Sequence, residues 1–412
     1  MSKLALKGGT KISAELENIR WPELHAEDEA SVLDALRKNY LGGIGDENLP
    51  NNIFEREFAR YHGAKYGIAV ANGTVALELS LRAGGVQPGD EVIVPAITFI
   101  ASATPIISVG AVPIFVDVDP DTAQISVLAV EAAITHKTRA IIGVHYGGYA
   151  FDLDAILDLA RRHNLLVIED SAHAHGTDWR GKKVGSWGSF GCFSFQQSKA
   201  LAAGEGGIVL TNDDELFEYA TLLRNIGRKT DQREYYHYVS ASNWRMGGLQ
   251  GALLLSQFSR FPRQAKERDK NGRYVASEIN KIPGLRTLKP DDRITQRGYY
   301  FMVLEFDAEQ FGTDRDKFVA ALQAEGVGWV GRGYERPLYK EPAFSKEKLN
   351  PLLHPAIDIP DYNNMSLPNA EKWARRQVTI GHTYLLGEER RRAELVLAAI
   401  HKIRENVAEL NG

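Results

Sequence analysis

Between Tyr66 and Arg224 short apolar runs alternate with amphipathic stretches, and this alternation constrains the fold more than any other feature of the chain. It is the pattern of βαβ units built around a largely parallel sheet. Strands are expected at Val92 to Pro95, Val112 to Val116, Ala140 to His145, Leu165 to Asp170, Cys192 to Phe195 and Gly207 to Thr211. Such runs lack polar alternation because both faces of a parallel sheet are covered. From Leu153 to His163, leucine, isoleucine and alanine recur at helical spacing beside Asp154, Asp158 and Arg161, giving a helix with one buried stripe and one solvated face. The segment from Gly227 to Arg245, with Tyr235, Tyr236, His237 and Tyr238, follows neither period and reads as a long functional loop. A helix from Gly247 through Lys270 then leads into a second part starting near Gly272. That part mixes a strand at Tyr299 to Phe306 with helices at Asp314 to Ala324 and Asn369 to Arg376, and a last helix that opens on the charges Glu388 to Arg392. The expectation is an α/β large domain with an N-terminal arm over 1–271 and a smaller α+β domain over 272–412.

Ligands collect at the carboxyl edge of open α/β sheets, so the polar residues that close the apolar runs are the candidate site. Asp170 ends one run, where it either caps the following segment or partners a protonated ring nitrogen. Lys199 follows the strand at Cys192 to Phe195 and precedes the turn Ala203-Gly204-Glu205-Gly206-Gly207. An amine at such a strand end is either solvated or drawn into a pocket. In a pocket, desolvation disfavours the ammonium and leaves a nucleophile able to form a Schiff base. Lys199 and Asp170 together point to pyridoxal phosphate, which acts as an electron sink only while its ring nitrogen stays protonated. His173 reads as a donor to the coenzyme's phenolic oxygen or as a loop histidine bound to backbone, and His175 as structural. Gly73 and Thr74 open an amphipathic helix whose free N–H groups and dipole suit a phosphate, as many helix starts would. Ser194, five residues before the lysine, can reach the same phosphate or be a satisfied strand serine. Phe99, which begins a helix after the first strand of this series, stacks on the pyridine ring or joins the core.

Taken in order, Asn72-Gly73-Thr74, Thr98-Phe99, Glu169-Asp170-Ser171-Ala172-His173-Ala174-His175-Gly176, Ser194 to Lys199 and Gly204-Glu205-Gly206-Gly207 resemble the DegT/StrS family of sugar aminotransferases. The resemblance spans nearly the whole chain. It implies the aspartate aminotransferase fold (fold type I), with a mostly parallel seven-stranded sheet, and pyridoxal 5′-phosphate as coenzyme, passing through pyridoxamine 5′-phosphate. Position by position it implies Lys199 as the Schiff-base lysine, Asp170 on the pyridine nitrogen, His173 near the phenolic oxygen, Phe99 on the ring, and Gly73, Thr74 and Ser194 on the phosphate. Asn243, in Ser242-Asn243-Trp244-Arg245-Met246, matches the family's asparagine that reaches the phosphate of the neighbouring subunit, which implies a homodimer with shared sites. The implied reaction is ping-pong transfer of an amino group from glutamine or glutamate to a ketone.

The opening Leu4-Ala5-Leu6-Lys7-Gly8-Gly9-Thr10, the form Phe195-Gln196-Gln197-Ser198-Lys199 and the tail Ile380-Gly381-His382-Thr383-Tyr384-Leu385-Leu386-Gly387 are similar to the branch that aminates keto-cyclitols such as scyllo-inosose. Other members aminate nucleotide-linked keto-sugars. Some relatives are sugar dehydratases with histidine in place of the lysine, a reading Lys199 opposes, and a regulator that binds coenzyme without turnover is the remaining alternative. The segment Tyr40-Leu41-Gly42-Gly43-Ile44-Gly45-Asp46-Glu47 departs from the family, where a tryptophan and an arginine-containing turn are usual.

Composition agrees with small-molecule chemistry. A chain of 412 residues with 44% hydrophobic content can bury a large core. The net charge of −4 offers no basic excess to neutralise nucleic-acid phosphates. The single Cys192 cannot form an internal disulfide and is expected to be a buried thiol. No apolar stretch suits a signal peptide or a membrane span, so a cytoplasmic enzyme without a metal site is expected.

Overall fold

The computed structural model describes residues 3–43, 45–229 and 235–411. Its centre is a sheet of β1 (Tyr66–Val70), β2 (Glu91–Pro95), β3 (Val112–Val116), β4 (Thr138–Val144), β5 (Leu166–Asp170), β6 (Phe190–Ser194) and β7 (Gly207–Thr211). The seven strands lie in the order β1-β7-β6-β5-β4-β2-β3. β7 runs antiparallel to both of its neighbours, and every other adjacent pair is parallel. The mostly parallel seven-stranded sheet is the one the resemblance implies, and six of its strands lie where the sequence reading places them, whereas β1 is not among the expected strands. β6 and β7 are buried along their whole length, as their unbroken apolar runs require.

Register sets the position of the site. Val144 lies beside Asp170 and Asp170 beside Cys192, so β4, β5 and β6 end side by side at the carboxyl edge. The Leu153–His163 helix buries Leu153, Ile156, Leu159 and Ala160, the expected stripe. Asp152 caps its start by accepting from the Ala155 N–H, and Asn164 ends it in the left-handed region. Cys192 is buried, with Sγ 3.2 Å from Ser80 Oγ, and burial pushes its thiol well above the usual range.

A second sheet, fully antiparallel, consists of β8 (Leu285–Thr287), β9 (Phe301–Phe306), β10 (Val330–Gly331) and β11 (Gln377–Gly381) in the order β8-β9-β11-β10. Its core includes Phe306, Phe311, Phe318, Val378 and Ile400. The two cores draw on both sides of residue 272. Leu338, Tyr339, Tyr362 and Trp373 pack with the large sheet, whereas Leu4 and Leu16 join the second core. We keep a division near Gly272 as a proposal for where the large domain gives way to the small one.

Three local expectations need correction. The helix expected from Gly247 through Lys270 is two helices, Gly248–Phe258 and Phe261–Ile279. Pro262, at the start of the second, has no N–H to continue the first, and the second runs straight through Gly272. The strand expected from Tyr299 begins at Phe301, because Tyr299 has a left-handed φ of 46°. Phe99 precedes a single 3-10 turn, Ile100–Ser102, rather than a full helix. Of the expected loop, 230–234 lie outside the described residues, and so does Ile44 in the segment that departs from the family. The described remainder of the loop contributes only isolated bridges, Asn243 with Asn225 and Arg245 with Val70.

Candidate active site

Asp170 closes β5 with a buried carboxylate. Ser102 Oγ donates to its Oδ2 at 2.7 Å, and the Ala172 N–H donates to Oδ1 at 3.2 Å. Thr98 Oγ1 lies 2.9 Å from Ser102 Oγ, so the 3-10 turn after Phe99 brings the Ser102 hydroxyl to the carboxylate with Thr98 behind it. Burial pushes the Asp170 carboxyl above its usual range, against the opposing pull of Ser102, the Ala172 N–H and Lys199. A carboxylate so placed gains strongly from a cationic partner.

Lys199 stands five residues beyond Ser194 on the turn that leaves β6. Burial lowers its pKa to about 8, with Asp170 pulling the other way. An amine with that pKa is neutral in a substantial fraction of molecules near pH 7.5, the state a nucleophile needs. Its Nζ lies 4.3 Å from the centre of the Tyr300 ring. His173 stacks against Tyr300, with centroids 4.4 Å apart and planes at 22°. Burial and then Lys199 hold the His173 imidazole well below its usual pKa, and its buried Nδ1 has no hydrogen-bond partner.

The Gly73–Ala83 helix starts directly beside β6. Asn72 caps it by accepting from the Val75 N–H at 2.9 Å. A Cβ on Gly73 would come within 2.7 Å of Ser194 Cβ, so only glycine lets the helix start approach the strand end this closely. Ser194 Oγ accepts from the Gln196 N–H at 3.3 Å. Phe99 is 53% exposed and flanks the same cavity.

These groups share one cavity of about 540 Å³. Gly73, Thr74, Phe99, Asp170, His173, Ser194 and Lys199 all line it, so seven of the eight sequence candidates come together. Asn243 does not: it is exposed, and its Oδ1 accepts from the Arg245 N–H at 3.4 Å. His175 lies buried among Phe193, Phe195 and Phe261, away from the cavity lining. Sequence reasoning missed Ser102, Tyr300 and Tyr334. Only Ser102 left a signal, through its four-residue spacing from Thr98; the two tyrosines come from the second half of the chain.

A partly buried amine and a buried carboxylate share one cavity at the carboxyl edge of a mostly parallel sheet, on the architecture of fold type I. The match of residues 22–400 to the DegT/DnrJ/EryC1/StrS aminotransferase family shows that the chain belongs to that family and is an aminotransferase. It is 36% identical over 409 residues to L-glutamine:2-deoxy-scyllo-inosose aminotransferase from Streptomyces kanamyceticus, covering 94% of each chain. It is 40% identical over 306 residues to GDP-perosamine synthase from Caulobacter vibrioides, covering 74% of this chain and 81% of that one. Among solved structures, 3-amino-5-hydroxybenzoic acid synthase superposes with a TM-score of 0.82 at 33% identity, over 93% of this chain and 98% of the other.

Proposed function

We propose that this aminotransferase moves the amino group of L-glutamine, or of glutamate, to a keto-cyclitol by a ping-pong reaction, with pyridoxal phosphate held on Lys199. The observation that carries the reading is the Lys199 amine, lowered to a pKa of about 8 in the same cavity as the buried Asp170. The residues present suit that coenzyme. The glycine-narrowed gap between the Gly73–Ala83 helix start and Ser194 suits a phosphate, the unpartnered His173 Nδ1 suits a phenolic oxygen, and the Asp170 carboxylate suits a ring N–H. Phe99 would stack on the ring.

When bound, the coenzyme would supply an aldehyde and an electron-withdrawing ring that stabilises charge left at a substrate carbon. The protein does the rest. Asp170, fixed by Ser102 and the Ala172 N–H, keeps the proton on the ring nitrogen. Lys199 Nζ would take a proton from the donor's α-carbon and deliver it to the coenzyme carbon that had carried the aldehyde, and its lowered pKa suits both steps. Tyr300, with His173 stacked on it, would flank the amine. In a homodimer, Asn243 of one subunit would complete the phosphate site of its partner.

The acceptor reading rests on charge. Among the described residues that line the cavity, Lys199 is the only lysine or arginine. The remaining polar groups include Gln196, Ser198, Glu205, Tyr300 and Tyr334, which suit a neutral polyhydroxy ring. A nucleotide-linked keto-sugar, the alternative raised by the resemblance to GDP-perosamine synthase, would bring a diphosphate with little to meet it. The relatives that act on scyllo-inosose derivatives support the same choice. No described helix is long and apolar enough to cross a membrane, and a cytoplasmic setting is part of the proposal.

Borohydride reduction of the coenzyme-treated protein followed by peptide mapping should find the adduct on Lys199. L-glutamine should then convert the coenzyme's absorption to that of pyridoxamine phosphate, and 2-deoxy-scyllo-inosose should reverse the change. Reversal by a nucleotide keto-sugar and not by the cyclitol would overturn the acceptor assignment.

A further inference from the structure

The turn that presents Lys199 closes on itself. Gln196 Oε1 accepts from the Ser198 N–H at 2.8 Å and from Ser198 Oγ at 2.6 Å, and Gln196 O accepts from the Lys199 N–H at 2.8 Å. Two carbonyls, those of Ser198 and Lys199, are met from elsewhere. Trp21 Nε1 donates to Lys199 O at 2.9 Å, and His382 Nε2 lies 3.1 Å from Ser198 O. Burial lowers His382 to a pKa of about 3, so the ring is neutral, and a carbonyl partner requires its proton on Nε2. The two rings touch edge to face, with centroids 4.6 Å apart and planes at 84°.

Each peptide unit is planar, so fixing its carbonyl fixes the whole plane. The planes before and after Lys199 meet at its Cα, and holding both fixes φ and ψ there, hence the direction of the Cα–Cβ bond. Neither Trp21 nor His382 lines the cavity. Both act on the lysine through its backbone, one from the N-terminal arm and the other from the turn after β11.

We propose that Trp21 and His382 are positioning residues that clamp the two peptide planes flanking Lys199 and so aim its amine into the cavity. The proposal rests on Lys199 being the coenzyme-bearing amine. The clamp also joins the two ends of the chain at the reactive residue, so a change in how the arm or the small domain packs is transmitted to the amine. The ionisable groups that share the cavity with this amine are Asp170, His173, Glu205, Tyr300 and Tyr334, and the buried, neutral His175 and His382 are close enough to act on it.

The test compares Trp21→Phe, His382→Phe, His382→Gln and His382→Asn. Glutamine carries an N–H near the position of Nε2, and asparagine falls short of it. In the coenzyme-free protein, an acylating reagent applied across pH and read by peptide mapping gives the titration midpoint of Lys199. Absorbance titration gives the dissociation constant for pyridoxal 5′-phosphate, and melting temperature reports general damage. Loss of either donor should move the midpoint up from about 8 as the amine reaches water, and weaken coenzyme binding about three- to tenfold. His382→Gln should restore both values, and His382→Asn should not. The clamp is refuted if the phenylalanine variants lower only the melting temperature, or if the glutamine and asparagine variants behave alike. Should a phenylalanine variant fail to fold, the glutamine–asparagine pair still decides. A borohydride adduct on some other lysine would sink the reading of the site, while the titration midpoint would still judge the clamp.

Discussion

Ser102→Ala removes the hydroxyl that donates to Asp170 Oδ2 at 2.7 Å and leaves the rest of the carboxylate's surroundings in place. A hydrogen bond to a buried charged group contributes about 1.5–3 kcal/mol. The Ala172 N–H, at 3.2 Å, stays to hold Oδ1. Because the lost bond favoured the charged form, the carboxyl should rise further above its usual range, by about one to two pKa units at roughly 1.4 kcal/mol each. An acid that protonates more readily is a weaker partner for a ring N–H, so coenzyme binding and proton transfer at the substrate carbon should both suffer. The expected result is a fall of about ten- to a hundredfold in the rate of the glutamine half-reaction. Stopped-flow absorbance of the coenzyme measures it directly. Ser102→Thr keeps a hydroxyl and should recover most of the rate. If Ser102→Ala reacts within about twofold of the parent, the Ser102–Asp170 bond does not tune the acid, and the role given to Asp170 loses its main structural support.

Other perturbations address the phosphate site, the shared site and the buried histidines. Gly73→Ala puts a Cβ 2.7 Å from Ser194 Cβ; overpacking of this kind costs about 1–3 kcal/mol, so the dissociation constant for the coenzyme should rise about five- to a hundredfold in an absorbance titration. Dimers mixed from Lys199→Ala and Asn243→Ala subunits should regain one intact site of two, whereas either variant alone stays impaired, and no gain on mixing would place Asn243 outside its partner's site. His62, His173, His175 and His382 are all held below the usual imidazole pKa, chiefly by burial, and His62 and His382 titrate near 3. The unfolded chain therefore binds more protons below about pH 6.5, so stability is complete above that value and falls as pH drops from 6.5 toward 3, by up to roughly 5 kcal/mol per pH unit if all four contribute. Denaturant titrations from pH 7 to 4 should show this slope, and His62→Phe should reduce it by about a quarter.

The sheet was legible because its strands are short apolar runs closed by a polar residue, as in Leu166–Asp170 and Phe190–Ser194, and such runs fit a sheet covered on both sides. The candidate groups lie at or just beyond the ends of those runs, so Asp170, Ser194 and Lys199 could be found without knowing which strands are neighbours. The break between Phe258 and Phe261 was not legible in the same way. Both phenylalanines are buried, and the helical pattern continues across the gap, so periodicity alone joins two helices into one. Pro262 was the local cue. The sharing of two cores across residue 272 was hidden because Trp373 and Tyr362 look like ordinary core residues of whichever unit surrounds them in sequence.

The division between what was visible and what was not follows the division of labour in the site. The groups proposed to react sit at or just beyond strand ends, where short-range pattern marks them. Groups that hold those residues in place come from far away: Trp21 reaches Lys199 across 178 positions, His382 reaches Ser198 across 184, and Ser102 reaches Asp170 across 68. A side chain that donates one hydrogen bond to a distant carbonyl has no periodicity, and although His382 lies in the Ile380 to Gly387 stretch of the resemblance, nothing in that stretch pairs it with Ser198. Its partner is chosen by the folded topology, which brings the N-terminal arm and the end of β11 onto one turn. With Lys199 and Asp170 in the proposed roles, the chemistry of this chain is written locally and the orientation of its reacting groups globally.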